Sequence, residues 1–185
     1  LAGSVAEARA REWAMKKLTG LGLQPIWTED FEMSAWQRHS ERAEGIMPCP
    51  QPLAVTALGG SVSTSAAGVT GEVVLFESLA ALRAAPREGV EGKIVYVGHT
   101  MQRTQDGSSY GYFNPVRTAG PSIAAEKGAL AYLLRSIGTD SHRLPHTGSL
   151  RYTENAPQIP ALALSNPDAD QVERILADSG GLVVK

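Results

Sequence analysis

Apolar positions along this chain change period from one stretch to the next, and each change marks a predicted element. Ala6, Ala10, Trp13, Ala14, Leu18 and Leu21 recur at helical spacing, while Arg9, Glu12 and Lys16 fall elsewhere on the wheel. Ser4-Val5-Ala6-Glu7 is a capping box for that helix, and Gly20 or Gly22 ends it. From Ile26 to Trp36 the period drops to two, with Trp27, Phe31 and Met33 on one alternation and Thr28, Asp30 and Glu32 on the other, which predicts a strand. A polar segment, Gln37 to Glu44, then leads to Pro48-Cys49-Pro50-Gln51-Pro52, read as a boundary or crossing linker.

Short strands are predicted at Leu53–Leu58, Gly71–Phe76, Gly92–Val97, Ile159–Leu164 and Leu182–Val184. Ser78 caps a brief helix over Leu79–Ala84 that Pro86 stops, and Asn166-Pro167 opens another whose apolar face is Ala169, Val172, Ile175 and Leu176. Between them lies the stretch Arg117–Ser136, in which a helix opened by Pro121-Ser122 is closed by Gly128 and runs into the buried strand Ala129–Leu134. A helix feeding a buried strand is half of an α/β layer. Two loops flank it: Met101–Gly120, polar and aromatic without usable periodicity, and Gly138–Gly148.

Composition narrows the function classes. With 185 residues, 43% hydrophobic and 19% charged, and a net charge of -2, the chain suits one domain plus an attached piece. A basic footprint for nucleic acid is missing, and the apolar runs are too short to span a membrane. The lone Cys49 excludes an internal disulfide framework, and no asparagine fits the glycosylation pattern. Because the chain opens at Leu1, it reads as a fragment or processed form.

Gly107-Ser108-Ser109-Tyr110-Gly111 matches a nucleophile elbow, but its polar approach and Asn114-Pro115 beyond it favour a flexible loop over the strand-turn-helix that a serine hydrolase needs. His39, His99, His142 and His146 form no recognised metal pattern and read as solvated loop residues. Pro145-His146-Thr147-Gly148 holds His146 in a shaped loop, which makes it a candidate for facing a substrate. Tyr110, Tyr112, Asn114 and Arg117 are candidates to converge on a ligand, with Arg117 suited to a carboxylate or to a local salt bridge. Trp13, Trp27 and Trp36 read as core or interface anchors, and Glu126-Lys127 as a solvated helix face.

Arg117-Thr118-Ala119-Gly120, Ala124-Ala125, Lys127-Gly128-Ala129-Leu130-Ala131, Arg135-Ser136, Pro145-His146-Thr147-Gly148 and Ile159-Pro160-Ala161 stand in an order that resembles the protease-associated (PA) domain of M28-family metallopeptidases, closest to the carboxypeptidase Q (plasma glutamate carboxypeptidase) branch. The opening residues and first helix resemble the start of the peptidase domain in that branch. The resemblance implies an α/β (α+β) swivelling β/β/α fold, a small curled mixed sheet with flanking helices, inserted after a helix and strand of the peptidase domain. Residues 1–47 would then belong to the peptidase domain and 48–185 to the PA domain, ending in the start of a return strand. The family's two-zinc centre uses an H-x-D motif and an adjacent Glu-Glu pair, and neither occurs here. The resemblance therefore implies no catalytic residue, metal or cofactor in this chain, with two zinc ions in a downstream peptidase domain. It also implies a secreted or periplasmic protein whose partners are that domain, peptide substrates and a second copy, with no nucleic acid or membrane. The alternative is an independent peptide- or protein-binding PA module using the 101–120 loop.

Overall fold

The computed structural model describes residues 2–185, which fall into two compact units, 2–39 and 40–185. In the first unit, α1 (Val5–Gly20) starts as its sequence requires: the Ser4 hydroxyl accepts the Glu7 amide at 3.2 Å, and Glu7 pairs with Arg11 one turn on at 2.9 Å. The unit has no core. No residue of α1 is buried, and Trp13, Leu21, Trp27 and Phe31 are all exposed. The strand predicted at Ile26–Trp36 does not form; alternation supplies two faces, but a strand also needs a ladder partner, and this segment has none. Trp13 and Trp27 are therefore not core residues.

The second unit is built on one sheet. Its strands are β1 (Ala43–Met47), β2 (Gln51–Leu53), β3 (Val55–Ala57), β4 (Gly71–Phe76), β5 (Ile94–Val97), β6 (Ala131–Arg135), β7 (Ala161–Leu164) and β8 (Val183–Val184), and the spatial order is β2-β1-β8-β4-β5-β6-β7-β3. β4 to β7 run parallel, and the other pairings are antiparallel. β1 is a strand where the sequence suggested only a polar lead-in, and the single predicted strand Leu53–Leu58 is divided, with Ala54 joining β2 to β3.

That one-residue join dictates the curl. β2 and β3 close opposite ends of the order, which in a flat sheet would lie about 34 Å apart at roughly 4.8 Å per strand. Two Cα steps reach at most about 7.6 Å. The sheet must therefore bend until its two edges meet at Ala54, whose carbonyl accepts the Ser165 amide at 2.9 Å.

Period-two alternation divides the core. Val95, Val97, Tyr132, Leu134, Ala161 and Ala163 face one side, packed with residues of α2 (Leu79–Ala84), α3 (Ser108–Thr118) and α4 (Gly120–Glu126). Ile94, Tyr96, Ala131, Leu133 and Leu164 face the other, against Ala169 and Val172 of α5 (Asn166–Ser179). Helices close where glycine permits a left-handed residue, at Gly128 (φ 84°) and Gly180 (φ 71°). Gly120 meets a different need: a Cβ there would lie 2.1 Å from the Tyr132 hydroxyl. Lys127 is not merely on a solvated face, because its ammonium caps the end of α2, donating to the carbonyls of Arg83 and Ala85 at 3.1 and 2.5 Å.

Candidate functional site

β4, β5 and β6 finish side by side, with Phe76 opposite Val97 and Val97 opposite Leu134, so the connections leaving them share one end of the sheet. In parallel α/β sheets that is the end where ligands are usually met. Here the connection after β5 contains α3, an eleven-residue helix within the stretch read as a loop. Gly111 disfavours a helix, and Pro115 sits inside it without an amide to donate. Tertiary contacts outweigh that loss: Val116 is buried, and Tyr110 and Phe113 pack against the core.

Helix formation sorts the candidates. Tyr110, Asn114 and Arg117 stand at i, i+4 and i+7 and share a face; Tyr112, two residues from Tyr110, is turned away by about 200°. Arg117 Nη1 donates to the Tyr110 hydroxyl at 2.9 Å and Nη2 to Asn114 Oδ1 at 2.6 Å, while its guanidinium carbon lies 5.6 Å from the Tyr110 ring centroid. The Tyr110 hydroxyl lies 3.1 Å from His146 Nε2, so the 138–148 loop is tied to α3. Gly148 admits the guanidinium, since a Cβ would come within 2.6 Å of it. Tyr112 is 79% exposed, its ring edge-on to Phe113 at 5.0 Å. Four of the five candidates thus form one cluster. Their i, i+4, i+7 spacing was the sequence signal for the missed helix.

Arg117 pairs with no carboxylate among the described residues, so the salt bridge weighed from sequence is absent and the cluster keeps its positive charge. His146 is an exposed side chain on a fixed backbone: Ser136 Oγ accepts its amide at 2.7 Å while donating its own proton to the Leu164 carbonyl at 2.6 Å.

Just after β5, His99 departs from the surface reading. It is 3% exposed, stacked on Phe113 at 4.8 Å, and neither ring nitrogen has a partner. Burial, and secondarily the positive charge of Arg135, pulls its pKa down to about 4. Arg135 is itself buried and pairs with Asp170 at 2.7 Å and Glu173 at 3.0 Å; Tyr96 also donates to Glu173, at 2.7 Å. Sequence reasoning noted Arg135 only for its place in a family pattern. A groove of about 450 Å³ opens beside it, lined by Arg103, Arg135, Asp140, Asn166 and Asp170 among others.

Ser109 lies in the first turn of α3, its hydroxyl accepting the Gln102 amide at 3.1 Å, and no strand leads directly into it. Among the described residues no group of three or more His, Cys, Asp or Glu side chains gathers to hold a metal ion, and no helix is long and apolar enough to cross a membrane.

No family profile matches the chain. Carboxypeptidase Q of Bos taurus is 33% identical over 187 residues, covering 100% of this chain and 38% of the relative. Carboxypeptidase Q of Homo sapiens is 30% identical over 185 residues, with the same shares. Among solved structures, the peptidase M28 precursor of Shewanella amazonensis SB2B superposes with a TM-score of 0.93 at 41% identity, covering 100% of this chain and 42% of that one. A zinc aminopeptidase from Bacillus subtilis, at 15% identity and a TM-score of 0.62, agrees in fold alone. The chain spans well under half the length of each of these relatives. Aligned along its whole length with carboxypeptidase Q in sequence and with a peptidase M28 precursor in fold, the chain is related to the M28 peptidases through a carboxypeptidase Q-like segment.

Proposed function

We propose that residues 40–185 are a non-catalytic PA domain, carried with an N-terminal piece of peptidase domain, that covers the active-site cleft of a secreted or periplasmic zinc exopeptidase and restricts or positions its peptide substrates. One observation carries this reading: β1 and β8, far apart in the chain, lie side by side in the sheet. β1 and β8 are antiparallel, and Glu44 and Lys185 exchange backbone hydrogen bonds at 2.9 Å in both directions. A domain inserted into a host chain needs its two ends close together.

Register adds a mechanical argument. Gly71, the start of β4, faces Val184, so the tethers sit at the amino end of the parallel strands. The Tyr110–Arg117–His146 cluster sits at their carboxyl end, about 20 Å away over the six residues of β4. A cover hinged at one end and presenting polar side chains at the other can screen a cleft and exclude bulk water. The chemistry would belong to two zinc ions in the remaining peptidase domain, activating water. Unit 1, lacking a core, would complete its packing on that domain, and a second copy would supply a further contact.

The test uses the catalytic portion of the Shewanella amazonensis peptidase without its matching segment. Added to it, the present chain should bind and narrow the range of peptides hydrolysed. Zinc-dependent hydrolysis by the 185-residue chain alone would overturn the reading. An independent binding module is the second reading, favoured by the fact that both core clusters lie within residues 40–185. It requires residues 40–185 to be folded and to ignore the peptidase body.

A further inference from the structure

We infer that His146 is held as its neutral Nδ1–H tautomer, and that this N–H, backed by the unpaired charge of Arg117, is a hydrogen-bond donor for a peptide carboxylate. The ligand class rests on the proposed function above, whereas the tautomer rests on geometry alone. Arg117 can only donate, so its 2.9 Å bond to Tyr110 uses a lone pair of the phenolic oxygen. Tyr110 is then free to give its own proton to His146 Nε2, 3.1 Å away, and a guanidinium on the oxygen makes that O–H a stronger donor. Nε2 accepts, so the ring proton belongs on Nδ1.

The relay is fixed at both ends. Asn114 and the close approach at Gly148 hold the guanidinium, and Ser136, anchored on the Leu164 carbonyl, holds the His146 backbone by its amide. Tyr110 and Arg117 are thus positioning residues, and His146 is the group presented outward. Among the described residues no carboxylate neutralises Arg117, so the surface beside His146 favours an anionic oxygen over a neutral carbonyl.

Nitrogen-15 NMR of the histidine rings in the 185-residue chain tests both parts, with His146→Gln identifying the signal. The wild-type ring should be mainly Nδ1–H. Tyr110→Phe should shift the tautomer ratio toward Nε2–H by about tenfold, the worth of one hydrogen bond. A wild-type ring that is mainly Nε2–H overturns the assignment, even if Tyr110→Phe fails to fold. Titration with glycylglycine should move the His146 resonances saturably, and glycylglycine amide should not. Equal responses to the two probes, or none, would overturn the carboxylate. Failure of the tautomer leaves the cover reading standing, and failure to bind a peptidase body leaves the tautomer standing.

Discussion

Replacing His99 with phenylalanine should remove most of the chain's acid sensitivity between pH 7 and pH 5. In the native state His99 is buried without a partner for either nitrogen, and its pKa is near 4. Unfolded, it titrates near 6.5. Between those values the unfolded chain binds more protons than the native one, so stability falls as pH falls through the window and levels off below about 4. At pH 5 the two titration curves differ by about 1.5 pK units, or about 2 kcal/mol, which is about 4–8 °C in Tm for a chain of this size. Thermal melts of wild type and His99→Phe at pH 7.5, 6 and 5 measure it, and His39, His142 and His146 cancel in the difference between the chains. Phenylalanine keeps the stack on Phe113 and removes two unsatisfied polar atoms, so the variant should be at least as stable as wild type at pH 7.5. Equal pH slopes in the two chains would refute the reasoning, because His99 would then have to be solvated or hydrogen-bonded.

Other predictions follow from close contacts and paired charges. Gly120→Ala should cost about 1–3 kcal/mol in urea denaturation, since the new methyl collides with the buried Tyr132. Tyr132→Phe loses the 2.8 Å bond to the Val116 carbonyl but removes the closest clashing atom, so the double variant should lose less than the sum of the two. Arg143→Ala should cost about 1–2 kcal/mol at pH 7, since the half-exposed guanidinium that binds the buried Asp168 at 2.7 Å is partly screened by solvent. Burial raises the pKa of Asp168, but Arg143 and Ser165 outweigh it and the net shift is downward. Its contribution is therefore present above pH about 4 and lost on further acidification, which a melt series from pH 5 to pH 2.5 would show.

What the sequence revealed and what it concealed divide along a physical line. Caps and helix stops were legible because their determinants are local: Ser4 and Ser78 hold the amides three residues on, and Gly128 and Gly180 take the left-handed conformation. β4, β5 and β6 were legible as short apolar runs because side chains pack over both faces of the parallel strands. α3 was not, because its residues disfavour a helix one by one and its support comes from distant side chains, His146 and the core beneath Val116. His99 was misread for the related reason that burial depends on what packs over a residue, here Phe113 of that same helix.

Strand order lay furthest from view, and the functional argument depends on it most. Nothing near Ala43–Met47 or Val183–Val184 announces that the two segments pair, yet the proposed insertion rests on their pairing. Because β8 also pairs with β4, and β4 runs parallel to β5 and β6, the tethered end and the end bearing Tyr110, Arg117 and His146 are forced apart by the length of a strand. A rotation at the tethers would therefore be amplified at the cluster, while the eight-stranded sheet, curled onto itself at Ala54, keeps the two ends in fixed relation. The proposed cover would use that separation, tethered at one end of the strands and presenting its polar side chains at the other.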